Sequence, residues 1–148
     1  MLGRFASGVT VVTTRGADGS DQGMTVSAFC SLSLEPALIL ICIEKSASVH
    51  PSLVEAPGFV VNILSTSQEQ IARRFSTVDI DRFEGVGFTR SADGYPILDD
   101  VLSVIECRRT ALHDGGDHTI IVGEVDASRV GEGIPLLYYR GGYAQLER

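Results

Sequence analysis

An alternation of apolar and small hydroxyl residues between positions 24 and 34, in the segment MTVSAFCSLSL, is the feature that most constrains the fold of this chain. Apolar residues occupy every even position from Met24 to Leu34, and hydroxyl residues occupy every odd position except 29. A period of two predicts a β-strand with one buried face. Phe29 is the exception, because its ring lies on the hydroxyl face. The alternation alone leaves open whether that face contacts a planar ligand or only water.

Further segments predict strands with few helices between them. The run ALILICI has no polar residue, which predicts a strand buried on both faces. Glycines and a proline between residues 79 and 100 predict a long loop. About seven strands without a strand–helix–strand rhythm favour one domain built on a closed antiparallel sheet. Besides the segment at 24–34, strands are predicted at 8–14, 37–43, 59–64, 101–112, 118–130, 136–139 and 143–146.

Two short helices are predicted, at residues 46–56 and 65–76. We expect Ser48 to cap the first helix, because serine accepts a hydrogen bond from the first turn. Thr66 and Glu69 have the spacing of a capping box at the start of the second helix. An apolar stripe follows in that helix, which predicts that one of its faces packs on the sheet.

Composition limits the classes of function. A formal charge of −7 and a pI near 4.8 argue against binding to nucleic acid or to an anionic membrane. The sequence contains no apolar run long enough to cross a bilayer and no clear secretory signal, so we expect a soluble, cytoplasmic protein. Its three cysteines form no CxxC motif, and we expect Cys30, Cys42 and Cys107 to be buried thiols.

Several familiar catalytic motifs are missing from the sequence. It contains no GxGxxG, GxxxxGK[ST], HExxH or GxSxG, which removes the main support for Rossmann-type nucleotide binding and P-loop chemistry. Three features remain as candidates for a site. They are the hydroxyl-bearing strand at 24–34 with the loop EKSAS, the turn HDGGDH and the C-terminal segment YYRGGY.

Lys45, the one lysine of the chain, lies between a strand and a predicted helix start. Its ammonium, the hydroxyls of Ser46 and Ser48, and free helix N–H groups could together bind an anion. The alternative is a solvated lysine followed by serines that cap the helix. The sequence alone leaves both interpretations open.

The segment HDGGDH at 113–118 allows a hairpin turn or a metal site. Its two histidines and two aspartates are residue types that ligate metals. A flexible double-glycine turn, however, does not hold four ligands in a fixed geometry, and Asp-Gly-Gly is typical of hairpins. We therefore expect a turn and no metal site.

Six separated segments together resemble the flavin reductase family, whose members have the FMN-binding split-barrel fold and include reductase components of two-component monooxygenases. The segments, in chain order, are RFASGVTVVTT, GMTVSAFCSLSLEPALILICIEKSAS, FVVNIL, ARRFS, GDHTIIVGEV and PLLYYRGGYAQL. The resemblance covers nearly the whole chain, although relatives usually carry a helix before GRFASGV. It implies a mainly β, antiparallel split β-barrel of Greek-key type with short flanking helices, assembled as a homodimer.

By this resemblance, the hydroxyl face contacts a flavin, FMN or FAD, and Phe29 forms a wall of the flavin cleft. The residues expected near the polar edge of the isoalloxazine ring are Thr25, Val26, Ser27 and Ala28. Those expected around the ribityl chain and phosphate are Ser31, Leu32, Lys45, Ser46 and Ser48, with Arg74, Phe75 and Ser76 in addition. Those expected where NADH or NADPH enters are His118, Arg140 and Tyr143.

The implied activity is NAD(P)H-dependent reduction of FMN or FAD, of EC 1.5.1 type, with reduced flavin passed to a partner monooxygenase. Hydride transfer depends on the position of the two rings, so no catalytic nucleophile and no metal is predicted. Backbone amides at Ser27 and Ala28 could stabilise negative charge near flavin N1 and C2=O. The alternatives are a flavin-binding protein without NAD(P)H turnover, one that passes electrons to another acceptor, and a barrel without flavin.

Overall fold

Strands account for most of the described chain, as the period-two patterns predict. The computed structural model describes residues 1–147. In chain order its strands are β1 (Ser7–Gly8), β2 (Thr10–Arg15), β3 (Asp21–Val26), β4 (Phe29–Leu34), β5 (Ala37–Glu44), β6 (Gly58–Ile63), β7 (Phe88–Arg90), β8 (Pro96–Leu98), β9 (Ser103–Gly115), β10 (His118–Val130), β11 (Leu136–Tyr139) and β12 (Gly142–Gln145). Its helices are α1 (His50–Glu55) and α2 (Glu69–Arg74), with single 3-10 turns at Leu2–Arg4 and Thr66–Gln68. No helix in this part of the chain is long and apolar enough to cross a membrane.

Seven strands form the main sheet in the order β3-β2-β6-β9-β10-β5-β4, and all of their pairings are antiparallel. β9 and β10 join its two halves, because β6 pairs with residues 103–108 of β9 whereas β5 pairs with residues 118–124 of β10. Their ladder shifts register after Val122 and again after Val125, which bends the sheet. β3 also contacts β5, so the two halves curl toward each other. The predicted mainly β, antiparallel fold class is confirmed.

Two smaller sheets cover the main one. β1, β11 and β12 form the first. It is joined to the end of β6 by a hydrogen bond of 3.1 Å that the Leu136 amide donates to the Leu64 carbonyl. β7 and β8 form the second. The buried amide side chain of Asn62 holds β8 on the sheet, since its Oδ1 accepts a hydrogen bond of 2.9 Å from the Leu98 amide.

Two clusters of buried apolar side chains form most of the core, and β2 contributes to both. Val12 of β2 packs in the first cluster, while Val11 of β2 and the preceding Val9 pack in the second, because adjacent side chains of a strand lie on opposite faces. Each fully buried Val, Leu, Ile or Phe contributes about 1.5–3 kcal/mol of hydrophobic stabilisation. The other large members of the first cluster are Ile39, Ile41, Ile43, Leu53, Phe59 and Ile121, and those of the second are Leu64, Phe75, Leu98 and Leu136.

The segment at 24–34 differs from its prediction in two ways. It is broken at Ser27 and Ala28, which belong to no strand, and the strands on either side are β3 and β4. Leu32 and Leu34 are exposed although their alternation predicted burial, because β4 is the edge strand of the sheet. The Phe29 ring packs against the first core cluster.

Three further predictions need correction. ALILICI is fully buried on one face only, that of Ile39, Ile41 and Ile43, while the other face is half-buried. The predicted loop at 79–100 contains the β7–β8 hairpin. Of the three cysteines, which were all expected to be buried, only Cys107 is: Cys30 is exposed and Cys42 is half-buried, since both lie in or beside the edge of the sheet.

The predicted helix caps are wrong by one residue each. α1 has Val49 at its N-cap position and no side-chain cap, so Ser48 does not cap it. The capping box of the second helical segment is formed by Ser65 and Gln68 instead of Thr66 and Glu69, with the Ser65 amide donating to Gln68 Oε1 at 3.0 Å. An initial 3-10 turn moves the cap one residue toward the N-terminus.

Candidate active site

A small cavity of about 180 Å³ lies where the break between β3 and β4 meets the end of α2 and the β11–β12 hairpin. We call it the β3 pocket. Four of its lining residues, Thr25, Ser27, Ser76 and Tyr143, are among those that the sequence resemblance assigned to the flavin and the nicotinamide. Its full lining is Val9, Thr25, Ser27, Ser76, Tyr138 and Tyr143.

Hydrogen bonds to main-chain atoms fix the walls of the β3 pocket. Thr25 Oγ1 donates to the Ala72 carbonyl at 2.7 Å, and the Thr25 amide donates to the Phe75 carbonyl at 3.2 Å. Ser76 Oγ donates to the same Ala72 carbonyl at 3.0 Å. The C-terminal turn of α2 is therefore attached to β3 through main-chain acceptors.

The break between β3 and β4 leaves polar main-chain groups free at the pocket. Ser27 and Ala28 are both exposed. Their carbonyls accept hydrogen bonds from the amides of Phe29 (2.9 Å) and Cys42 (3.0 Å), but within residues 1–147 their own amides have no acceptor. Two adjacent free N–H donors are what the sequence resemblance requires near the polar edge of an isoalloxazine ring.

Aromatic rings close the opposite side of the β3 pocket. Tyr138 and Tyr143 are paired edge to face, with ring centroids 5.5 Å apart. The guanidinium of Arg73 lies 5.0 Å from the centroid of the Tyr143 ring, and Arg73 Nε also donates to Glu69 Oε2 at 3.2 Å. Tyr138 and Arg73 were missed by the sequence interpretation, although Tyr138 stands in the segment YYRGGY that it singled out.

The loop EKSAS and the turn HDGGDH meet at a second place, which we call the Lys45 corner and define by Lys45, Asp114, Asp117 and His118. The Lys45 ammonium contacts the Asp114 carboxylate, and the Lys45 amide donates to the Asp117 carbonyl at 2.8 Å. His118 Nδ1 lies 2.7 Å from Asp117 Oδ1. The pairing of Glu44 with His118 in the β5–β10 ladder brings the two loops together.

The charges of the Lys45 corner lower two pKa values. The hydrogen bond from Lys45 and its positive charge lower the pKa of Asp114. The hydrogen bond from His118 and its charge lower the pKa of Asp117. Among residues 1–147, no group of three or more His, Cys, Asp or Glu side chains is placed to hold a metal ion.

Ser48 lines a second cavity, of about 240 Å³, between the start of β3 and the segment 80–83. We call it the Arg82 pocket, after a residue that the sequence interpretation missed because it stands in a segment without periodicity. Its other lining residues are Asp21, Gln22, Gly23, Val49, Ile80, Asp81 and Phe83.

The remaining predicted residues lie outside these cavities. Ser31 and Leu32 are exposed on the edge strand β4, and Arg140 is in the turn between β11 and β12 with φ at 54°. Arg74 holds the main chain of the neighbouring loop, since its Nε and Nη2 donate to the carbonyls of Arg82 and Asp81, both at 2.7 Å.

Three further predicted residues have their side chains elsewhere. The Phe75 ring is buried in the second core cluster, and the Phe75 carbonyl accepts the hydrogen bond from the Thr25 amide of β3. Val26 is buried in the first cluster, and Ser46 is exposed beside Lys45. A ligand could therefore contact Val26 and Phe75 only through their main-chain atoms. It could contact Ser46 through its side-chain hydroxyl.

Comparison with known proteins adds independent evidence. The sequence profile of the family described as flavin reductase like domain matches residues 2–147. The reductase subunit HsaB of a flavin-dependent monooxygenase from Rhodococcus jostii is 40% identical over 148 residues, which cover 99% of this chain and 75% of that protein. The NADH-dependent FMN reductase SmoA from Agrobacterium fabrum is 42% identical over 147 residues, which cover 99% of this chain and 83% of that protein.

Solved structures agree with this assignment. Nitrilotriacetate monooxygenase component B from Mycobacterium thermoresistibile superposes with a TM-score of 0.94 at 36% identity, covering 99% of this chain and 83% of that one. An NADH:FAD oxidoreductase from Streptomyces globisporus, in complex with NAD and FAD fragments, superposes with a TM-score of 0.92 at 36% identity, covering 99% and 88%. The six-segment resemblance is confirmed: this chain belongs to the flavin reductase like domain family.

Proposed function

We propose that this protein is an NADH-dependent flavin reductase of EC 1.5.1 type that supplies reduced flavin to a monooxygenase. The observation that carries the proposal is the pair of adjacent free amides at Ser27, which lines the β3 pocket, and at Ala28, the next residue. The names of the relatives, which include an NADH-dependent FMN reductase and a monooxygenase reductase subunit, support the same reaction. A single flavin reductase domain spans residues 1–148 in this proposal and acts in the cytoplasm, since its hydride donor is an intracellular nucleotide.

The residues of the β3 pocket fit a flavin at its polar edge. A bound flavin supplies the redox chemistry by accepting a hydride from the reduced nicotinamide. The Ser27 and Ala28 amides would donate hydrogen bonds to the polar edge of its ring and so stabilise the negative charge that reduction places there. These donors need not be released from other partners, because within residues 1–147 no acceptor bonds to them in the free protein. Ser31 and Leu32 continue this wall along β4.

The Lys45 corner fits the phosphate end of the flavin. Lys45, Ser46 and Ser48 offer an ammonium and two exposed hydroxyls on one loop. The Asp114 carboxylate contacts the ammonium in the free protein. A phosphate dianion competes with Asp114 for Lys45, so we expect moderate affinity, which suits a reduced flavin that must leave. Arg74 acts indirectly here, by holding the main chain of residues 81 and 82.

The nicotinamide nucleotide enters from the side of the tyrosines and His118 in this proposal. Tyr143 offers a ring face beside the free amides, and stacking of a planar ligand on such a ring is favourable. Arg140, at the exposed turn next to it, is placed to attract the nucleotide phosphates. His118 can hydrogen-bond the carboxamide or the diphosphate and orient the donor without joining the chemistry.

We infer that the active form is a homodimer joined through the outer face of β4, β5, β9 and β10. The register places this face opposite the buried Ile39, Ile41 and Ile43, and it is mostly half-buried and apolar. Such a face on a sheet is typical of an association surface. Its residues are Cys30, Leu38, Leu40, Cys42, Ala111, Ile120 and Val122.

Sedimentation of the wild type and of Leu40→Arg tests the dimer. We expect the wild type to sediment as a dimer and the variant as a folded monomer. A wild-type monomer that still reduces flavin at full rate would exclude the dimer as the active form.

The oxidation of NADH in the presence of FMN, FAD or riboflavin tests the proposed activity. We expect flavin-dependent oxidation of NADH and transfer of the electrons to oxygen or to an added flavin-dependent monooxygenase. Flavin binding without NADH turnover would favour a non-catalytic flavin protein or a different electron donor. A protein that binds no flavin would remove the proposal altogether.

A further inference from the structure

The free amide of Ser27 belongs to a peptide unit whose other end is bonded to a buried side chain. Thr10 Oγ1, in β2, donates a hydrogen bond of 2.6 Å to the Val26 carbonyl, and Thr10 is only 3% exposed. The Val26 C=O and the Ser27 N–H lie in one planar trans unit and point in opposite directions. The Thr10 hydroxyl therefore holds this unit at the end opposite the free N–H.

The peptide unit that carries the Ala28 amide is held by a main-chain group instead. Its carbonyl, that of Ser27, accepts a hydrogen bond of 2.9 Å from the Phe29 amide. Both free amides of the β3–β4 break thus have a donor behind them, but only the donor behind the Ser27 amide is a side chain that a substitution can remove. A change at Thr10 alters the support of one amide and leaves that of the other in place.

A hydrogen bond to the carbonyl of a peptide unit affects its N–H in two ways. It opposes rotation of the peptide plane, which matters at Ser27 because this residue belongs to no strand. It also makes the N–H a stronger donor, since hydrogen bonds in a chain polarise one another, by about 10–30% per bond. The Thr10 hydroxyl, the Val26 carbonyl and the Ser27 amide form such a chain, and its free end is the Ser27 N–H.

Burial of a threonine in β2 does not by itself indicate a role in ligand binding. A buried hydroxyl needs a hydrogen-bond partner, and Thr14, which is also buried in β2, donates to the Gly58 carbonyl at 2.8 Å. The two threonines differ in where their acceptors lie. Val26 is the last residue of β3 and precedes the break, whereas Gly58 lies in β6, between β2 and β9. Thr14 is therefore a matched control for Thr10.

We propose that Thr10 is a positioning residue for flavin reduction, which acts through the Val26–Ser27 peptide unit to orient and strengthen the Ser27 N–H donor. This inference rests on the proposed function, because the Ser27 amide must bond to the polar edge of a flavin. Reduction places negative charge at that edge, so a stronger donor stabilises the reduced flavin more than the oxidised one. Thr10 thereby raises the midpoint potential of bound flavin without contacting it.

The experiment compares the binding of oxidised and chemically reduced FMN, measured without oxygen and without NADH. Thr10→Val keeps the shape of the side chain and removes the hydroxyl. We expect this variant to bind reduced FMN about six times more weakly than the wild type and oxidised FMN about twice as weakly, within the range of one lost hydrogen bond. A threefold difference between the two losses lowers the midpoint potential of the bound flavin by about 14 mV for a two-electron couple.

Three comparisons separate this role from a contribution to folding. Thr10→Ser keeps the hydroxyl and should keep the wild-type ratio of the two dissociation constants. Thr14→Val should lower the melting temperature about as much as Thr10→Val does and leave the ratio unchanged. Riboflavin should give the same change of ratio as FMN in Thr10→Val, because the two flavins share the ring. If Thr10→Val does not fold, Thr10→Ala removes the same hydroxyl and should change the ratio in the same direction.

Equal losses for oxidised and reduced FMN in Thr10→Val would overturn the proposal, because the hydroxyl would then only stabilise the fold. The same change of ratio in Thr14→Val, or in Thr10→Ser, would overturn it too. Failure of the proposed function gives a different result, since the wild type would then bind flavin without oxidising NADH, and the ratio would still test Thr10. A wild type that binds neither form of flavin would overturn both.

Discussion

The β3 pocket and the Lys45 corner each contain several of the predicted ligand-binding residues, but they are held in different ways. The side chains and amides of the β3 pocket bond to main-chain acceptors of α2, such as the Ala72 carbonyl. The Lys45 corner depends on contacts between exposed side chains, since the Lys45 and Asp114 side chains are 45% and 78% exposed. Main-chain attachment fixes a geometry before a ligand binds, whereas exposed ion pairs are weak and easily exchanged. The geometry of the β3 pocket is thus set before a ligand binds, whereas the Lys45 corner can be rearranged by the phosphate of the ligand.

Removal of the buried ring behind the β3 pocket should have the largest effect. Phe75 is fully buried, and it packs edge to face on Phe83 with centroids 5.1 Å apart. Phe75→Ala should lower the free energy of unfolding by about 3–5 kcal/mol, as large core truncations do. Denaturant unfolding measures this, and Phe5→Ala, which truncates a ring that is 85% exposed, is the control and should change little. A loss below about 1 kcal/mol would mean that the end of α2 is not held by this ring.

At the Lys45 corner, Lys45→Ala should weaken FMN binding about tenfold, because a hydrogen bond to a charged group contributes about 1.5 kcal/mol at an exposed site. Riboflavin binding should be unchanged. Asp114→Asn should act in the opposite direction and tighten FMN binding, since it removes the carboxylate that competes for the ammonium. Equal losses for FMN and riboflavin in Lys45→Ala would contradict the phosphate assignment.

A single hydroxyl in the β3 pocket gives a smaller effect that tests main-chain attachment directly. Thr25→Val keeps the shape of the side chain and removes the hydrogen bond to the Ala72 carbonyl. We expect a loss of about 0.5–1.5 kcal/mol in the free energy of unfolding. The rate of NADH oxidation should fall equally with FMN and with riboflavin, because the β3–β4 break would be less well positioned. If Thr25→Val kept the stability of the wild type but bound FMN less well than riboflavin, Thr25 would act on the ligand and not on the fold.

Much of the β3 pocket could be predicted from the sequence. Period-two patterns identify the strands, and the resemblance placed Thr25, Ser27, Ser76 and Tyr143 around one ligand, where four chain segments meet. The break at Ser27 and Ala28 could not be predicted, because the alternation of residue types continues through it while the main chain leaves the ladder. The two amides that support the proposed function are consequences of that break.

The charged contacts could not be predicted from the sequence for a different reason. Lys45 and Asp114 are 69 residues apart, and they meet only because the register of β5 and β10 places Glu44 opposite His118. Arg82 stands in a segment with no periodic pattern, so its burial and its lack of a carboxylate partner follow from tertiary packing alone. Apolar patterns determine strands and faces, but they contain no information about which surface charges become neighbours.

The pH dependence of the Lys45 corner should give the smallest effect. Lys45 lowers the pKa of Asp114 from its ordinary value of 3.8, so the folded protein holds this carboxylate charged at a pH where the unfolded chain already binds a proton. The resulting stabilisation is present above pH 3.8 and is lost as the pH falls through the lower pKa of the folded state. In acid unfolding experiments, Asp114→Asn should therefore lose less stability than the wild type over this range.

The dependence on salt, compared between Asp114 and a second aspartate with a lowered pKa, tests whether the ion pair with Lys45 causes this effect. The pKa of Asp18 is also lowered, but by hydrogen bonds from the hydroxyl and amide of Ser20, without a cation. Added salt screens charges at the surface and should reduce the effect of Asp114→Asn, while the effect of Asp18→Asn should remain nearly constant. If salt left both variants unchanged relative to the wild type, Lys45 and Asp114 would not be paired in solution, and the ammonium would be free for phosphate without competition.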